Sequence, residues 1–281
     1  MLKDVTFGQY YPTDSFVHRL DPRLKLIFLI VYIVMLFVAN SFYGLALGAI
    51  LIIVTVFASG VPFRSVLRSV RGLLILLIFT SLLNVFFHGG ENLLVKWGAI
   101  EIYLEGVMFA VFLMLRLVFL VMASAVLTLT TTPVSLTDGL ESLLYPLNFI
   151  KFPVHVFALI MSIALRFIPT LIDETNRIIN AQKARGADFE SGNIFKRVKA
   201  VVPILIPLLI SAFRRAEELG DAMDARCYSS AKKRTKYKKL RFGWRDGIAA
   251  LVAAALIAGI ILLNIYAVDI CPAIAKYMVV L

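Results

Sequence analysis

The chain has 281 residues, 60% of them hydrophobic and 17% charged, with a formal net charge of +11 and a mean hydropathy of +0.87. That is too apolar for a soluble domain of this length, so the composition selects a membrane protein of several spans, an all-α one by the length of its apolar runs. The positive balance does not point to nucleic acid: the basic residues flank apolar runs, and no stretch joins a basic face to stacking aromatics.

In chain order, the first ~20 residues carry Asp4, Asp14 and His18 without an apolar core, so no cleavable signal peptide is expected. Asp21-Pro22 is a helix opener, an N-cap followed by proline at the first helical position. The run LKLIFLIVYIVMLFVAN, ending at Asn40, is long enough to cross, and LALGAILIIVTVFASG crosses back after the turn NSFYG. In VPFRSVLRSVRG (61–72), Arg64, Arg68 and Arg71 share one helical face, while Phe63, Val66, Leu67 and Val70 take the other. This pattern predicts a short basic amphipathic helix on the membrane surface. A third span, LLILLIFTSLLNVFF, leads into the loop HGGENLLVKWGAIEIYLEG, where Trp97 is an interfacial anchor. A fourth span runs from about Val107 to Leu129, and the fifth, GIAALVAAALIAGIILLNIYAV, follows Trp244.

Lys and Arg number four at the N-terminus, three in 60–72, one in 88–105 and eighteen in 132–244. Alternating sides then predicts a cytoplasmic N-terminus, a cytoplasmic 132–244 region and an outer C-terminus. The expected organisation is 1–131 with four spans, 132–244 as a cytoplasmic region of long coupling helices, and 245–281 with the last span. The segments 154–172 and 200–213 are apolar, but Arg166 and Pro169 interrupt the first, and the second is short with two prolines. Both are expected as helices of the cytoplasmic region, with apolar halves at the membrane interface or against a partner. Cys227 and Cys271 then face opposite sides and cannot bridge, and neither has metal-ligand company.

The central region repeats a pattern. AQKARGADF (181–189) and DAMDARCY (221–228) each hold A-x-x-A-R: Ala181, Ala184 and Arg185, then Ala222, Ala225 and Arg226. Alanine four residues before arginine leaves a small-walled helix face open to close approach. Arginine in a last turn suits the helix dipole and offers a fork of donors beyond the helix end. Gly186 fits the left-handed position that ends a helix. The plainer alternative is a local ion pair, Arg185 with Asp188 or Glu190, and Arg226 with Asp221 or Asp224. Two copies of one pattern favour a paired docking role.

No G-x-x-x-x-G-K-[ST] phosphate loop occurs, so the chain is not expected to be an enzyme or to bind ATP that way. The five spans hold no acidic residue. Their one central charge is Arg116, expected to pair with backbone carbonyls or a neighbouring helix rather than line a pathway. A secondary carrier using Arg116 and Asn84, and a membrane scaffold recruiting through the same tips, are the rival readings. The run KKRTKYKKLR (232–241) is expected to lie against anionic lipid.

GQYYPTDSFVHRLDPRLK at the N-terminus, ARGA at 184–187 and AMDARCY at 222–228 together resemble the transmembrane component of energy-coupling factor transporters, prokaryotic vitamin and metal uptake systems. The second signature departs in having Cys227 where glycine is common. The resemblance implies a protein of the cell membrane with no cofactor of its own, ATP and magnesium belonging to two ABC-type ATPase subunits. It implies that Arg185 and Arg226 each contact one ATPase, with Ala184, Gly186, Ala225 and Cys227 permitting close approach. It also implies a small membrane substrate-binding partner, the S component, with Leu165, Pro169, Pro203, Pro207 and Leu208 expected to face it.

Overall fold

The computed structural model describes residues 10–39, 41–87, 89, 92–97, 100–150, 153–187, 194–228 and 243–266. These fall into two compact units, 10–150 with 243–266, and 153–187 with 194–228. The first unit holds α1 (Pro22–Val38), α2 (Phe42–Ser59), α3 (Phe63–Phe87), a hairpin of β1 (Leu93–Trp97) and β2 (Ile100–Tyr103), α4 (Leu104–Thr130), α5 (Pro133–Leu143) and α8 (Trp244–Tyr266). The second is α6 (Val154–Ala184) and α7 (Ile194–Ala225), packed on each other.

The fold is helical and membrane-like throughout. Among the described residues α2, α3, α4 and α6 are each long and apolar enough to cross a bilayer. At 17 residues α1 sits at the short end of that range. The sequence reading expects 154–172 as a helix of the cytoplasmic region with its apolar half at the membrane interface or against a partner. One unbroken 31-residue helix runs through Pro169, and by length and composition its apolar half is also sufficient to cross.

Two differences from the sequence expectation concern connections. The basic stretch 61–72 does not form a separate surface helix; it is the start of α3, which continues through Gly72 into the apolar run. Breaking the helix there would leave orphan N–H and C=O groups on both sides, whereas one interior glycine costs only ~1 kcal/mol. Of the four residues expected to share the apolar face of 61–72, Val66 and Val70 are buried in the core, and Phe63 and Leu67 are exposed. The expected loop between α3 and α4 contains the antiparallel hairpin, which pairs Leu93 with Tyr103 and Trp97 with Ile100. Buried Glu105 clamps its base, accepting from Asn92 Nδ2 at 2.8 Å and from the Asn92 N–H at 3.2 Å.

The core of the first unit is one seam shared by four helices. Tyr32, Met35 and Leu36 of α1 meet Ile52 and Val56 of α2, Val66, Val70 and Leu77 of α3, and Met122, Val126 and Leu129 of α4. Buried Arg116 of α4 donates to the Ala39 carbonyl, the C-cap of α1, at 2.7 Å. Its guanidinium also lies over the rings of Phe112 and Phe37, 4.7 and 5.6 Å from their centroids. The carbonyl pairing expected of Arg116 is therefore present.

At the other end of α1, three helix termini are tied together. Asp21 caps α1 by accepting from the Arg23 N–H at 2.9 Å, and its own N–H donates to Asp246 Oδ1 at 3.1 Å. Asp246, in the first turn of α8, also accepts from the Gly243 N–H at 2.7 Å through Oδ2. One turn into α1, Lys25 Nζ donates to the Thr130 carbonyl at the end of α4 at 2.9 Å, to the His18 carbonyl at 3.3 Å and to Thr131 Oγ1 at 3.4 Å. Asp21, Lys25 and Asp246 are all buried, and both carboxylates act electrostatically on the ammonium. Gly139 of α5 completes the knot: a side chain there would come within 3.3 Å of the Pro22 backbone.

The segment before α1 is bound to the same place. The Tyr11 N–H donates to the Leu129 carbonyl at 2.9 Å, and His18 spans Ser15 Oγ at 2.7 Å and the Tyr11 carbonyl at 3.0 Å. Burial holds the His18 imidazole below its usual value against the Tyr11 hydrogen bond, with Lys25 adding to the lowering.

Replacing Lys25 with methionine leaves two buried carboxylates without their countercharge and the Thr130 carbonyl without its donor, a loss of about 3–5 kcal/mol. The thermal unfolding midpoint of detergent-solubilised Lys25→Met is expected to fall well below wild type, and that of Lys25→Arg to fall less. An unchanged midpoint in Lys25→Met contradicts the role given to the knot.

Candidate functional site: two arginine-bearing helix ends

Helices α6 and α7 are bridged by an ion pair between Arg215 and Glu174 at 3.5 Å, both partly exposed. Such a pair contributes little by itself, ~0–1 kcal/mol. Both helices carry internal proline, Pro169 in α6 and Pro203 and Pro207 in α7. Pro169 cannot donate to the Leu165 carbonyl, nor Pro207 to that of Pro203, so each helix has a soft point within its apolar half.

The two C-termini close in the same way. In α6 the Gly186 N–H donates to the Lys183 carbonyl and the Ala187 N–H to the Gln182 carbonyl, both at 3.0 Å. In α7 the Cys227 N–H donates to the Asp224 carbonyl at 2.8 Å and the Tyr228 N–H to the Met223 carbonyl at 2.9 Å. Each end is thus a Schellman closure with crossed hydrogen bonds reaching three and five residues back. Such a closure requires a left-handed residue just past the arginine. Gly186 adopts φ 86° and Cys227 φ 54°. The repeat seen in the sequence is therefore a repeat of backbone geometry.

What the two ends present is also matched. Ala184, Arg185 and Gly186 are exposed at one, Ala225, Arg226 and Cys227 at the other. Among the described residues neither arginine forms an ion pair, although Asp221 and Asp224 lie within the last two turns of α7. Asp188 and Glu190 fall outside the described residues, as do Cys271 and the run 232–241. Cys227 is a free thiol. An exposed, unpaired guanidinium over a small-walled helix end offers donors to an acceptor-lined groove on another molecule, with no bulky side chain in the way.

The residues expected to meet a membrane partner lie elsewhere on the same two helices. Pro169, Pro203 and Pro207 are exposed, and Leu165 and Leu208 are half-buried. The apolar half expected of 200–213 is exposed on α7: Val202, Leu205, Leu209 and Phe213, spaced three and four apart, range from 44% to 63%. The sequence reading missed the roles of Lys25 and Asp246.

The alternative sites do not form. Arg116 is occupied by the Ala39 carbonyl and two rings, and Asn84 Nδ2 donates to the Thr80 carbonyl of its own helix at 2.8 Å. No group of metal-ligating side chains occurs among the described residues.

Fold and site together define a helical membrane protein that presents two equivalent arginine-bearing helix ends. The sequence matches the family described as Cobalt transport protein (CbiQ) over residues 13–237. It is similar to proteins named energy-coupling factor transporter transmembrane protein EcfT. That of Clostridium kluyveri is 49% identical over 267 residues, 95% of this chain and 99% of the relative. That of Brevibacillus brevis is 48% identical over 260 residues, covering 92% and 97%, and that of Bacillus subtilis 44% identical over 260 residues, covering 92% and 98%. The chain belongs to this family, the transmembrane components of energy-coupling factor transporters.

The left-handed position separates the two ends chemically, since a side chain there costs about 1 kcal/mol that glycine does not incur. Cys227→Gly is expected to slow amide hydrogen exchange at 225–228, and Gly186→Val to speed it at 184–187. Equal exchange in both variants and wild type contradicts the strain assigned to Cys227.

Proposed function

We propose that the chain couples two ABC-type ATPase subunits to a separate, small membrane protein that binds the substrate, a vitamin or other micronutrient taken up by the cell. Arg185 and Arg226 each enter a groove on one ATPase, with Ala184, Gly186, Ala225 and Cys227 allowing the partner's backbone to come close. ATP and magnesium stay with the ATPases; this chain binds neither. Nucleotide-driven closing and opening of the ATPase pair moves the two helix ends relative to one another. Helices α6 and α7 carry that displacement to the substrate binder, which rests on their apolar side, and the binder reorients to release its cargo inside. The N-terminus and both helix ends then lie on the cytoplasmic side, a placement that the distribution of Lys and Arg favours.

The observation that carries this reading is the duplicate Schellman closure with an exposed arginine at the same place in each copy. A structural arginine has no reason to recur with its flanking alanines and its left-handed successor. Two equal plugs imply two equal sockets, the arrangement that a two-fold ATPase pair supplies. Exposed leucine, valine and phenylalanine along α7 give the second partner an apolar surface. Arg116 and Asn84, the residues a carrier acting alone would use, each donate to a backbone carbonyl of the fold, which disfavours transport by this chain without partners.

The test is co-purification and uptake with charge-reversed tips. Arg185→Glu and Arg226→Glu are each expected to lower ATPase recovery with the membrane subunit by at least tenfold, ~1.4 kcal/mol or more, and to abolish substrate uptake. The membrane-inserted amount should not change. Wild-type uptake in both variants, or labelling of positions beside 185 and 226 from outside intact cells, overturns the reading.

A further inference from the structure

The basic stretch at the start of α3 has no task in the coupling scheme. In α3, Arg64, Arg68 and Arg71 are exposed, and none pairs with a carboxylate among the described residues. Because α3 is continuous through Gly72, the arginine stripe does not stop there. Counting on in steps of three and four from Arg71 reaches Ile75, Ile78, Leu82 and Phe86, with Phe79 beside them. These are exposed at 83%, 49%, 52%, 44% and 57%. The core-facing residues Val66, Val70 and Leu77 lie on the opposite side of the helix. One outer face therefore has three guanidiniums over its first turns and an uninterrupted apolar strip after them.

We propose that this face of α3 binds an anionic phospholipid, with the phosphodiester held by Arg64, Arg68 and Arg71 and the acyl chains lying along Ile75 to Phe86. The dimensions fit. From Arg71 to Phe86 is 15 residues, about 22 Å of helix, so the apolar strip matches the length of one acyl leaflet of about 15 Å and a little more. Guanidinium forks bind phosphate oxygens in pairs and carry little hydration, so three of them spaced one turn apart can share a single headgroup. Free phosphate would use only the arginines. The apolar continuation on the same face is what selects a lipid.

The test uses the purified, assembled transporter complex, delipidated and then equilibrated with vesicles of phosphatidylglycerol and phosphatidylcholine in equal amounts. Bound lipid is counted by native mass spectrometry. Wild type is expected to retain phosphatidylglycerol about tenfold over phosphatidylcholine, and inorganic phosphate or glycerophosphoglycerol is expected not to displace it. The triple variant R64Q/R68Q/R71Q is expected to lose most of that preference, whereas R64K/R68K/R71K keeps part of it. I75S/L82S is expected to weaken retention while all three arginines remain. An undiminished preference in the glutamine variant places the lipid elsewhere on the chain and overturns the proposal. No preference in wild type overturns it too, as does cross-linking from position 75 or 79 to a protein subunit instead of lipid.

Discussion

A helix that ends in or near a bilayer has four N–H or four C=O groups that water does not readily reach. The way each such end is satisfied organises this molecule. At the base of the first unit the starts of α1 and α8 and the end of α4 satisfy one another through Asp21, Asp246 and Lys25. A lysine side chain from α1 caps the last carbonyl of α4, and an aspartate from α8 holds the N-cap residue of α1. Both chain-distant helices are thereby fixed without a large apolar contact between them. At the tips of α6 and α7 the backbone closes on itself. The arginine side chains take no part in that closure and are exposed.

The contrast between knot and tips divides structural from functional polarity. Lys25 uses all three of its N–H donors on protein oxygens within the fold, and Arg116 is held by a carbonyl and two rings. These charges are spent on architecture. Arg185 and Arg226 are exposed, and among the described residues Arg226 makes no ion pair although Asp221 and Asp224 stand in the same helix.

What could be read from the sequence follows the range of the interactions. The Asp21-Pro22 helix start is a local signal, and the side chain of Asp21 does accept from the Arg23 N–H. The twin tips were visible because the repeat A-x-x-A-R lies within five residues, and Gly186 announced its left-handed turn. Cys227 looked like an unimportant departure, and only the backbone shows it in the same left-handed conformation. The knot was illegible: Asp21 and Asp246 are 225 residues apart, and no periodicity links them. The continuity of α3 was misjudged because an amphipathic pattern and an apolar one were read as two elements, when the cost of a helix break exceeds that of Gly72. The hairpin was passed over because its strands are only five and four residues long.

The bond from Arg116 to Ala39 has a geometric corollary. Helices α1 and α2, of 17 and 18 residues, are about 25–27 Å long, whereas α3 and α4, of 25 and 27, reach about 38–40 Å. The bend joining the shorter pair meets α4 at Arg116, twelve residues or about 18 Å down from where α4 begins. The end of the first unit that holds the α1–α2 bend is therefore stepped, the bend lying about 18 Å below the start of α4. A cation halfway along α4 is tolerated because α1 stops at its level, where the Ala39 carbonyl and two aromatic rings receive the guanidinium.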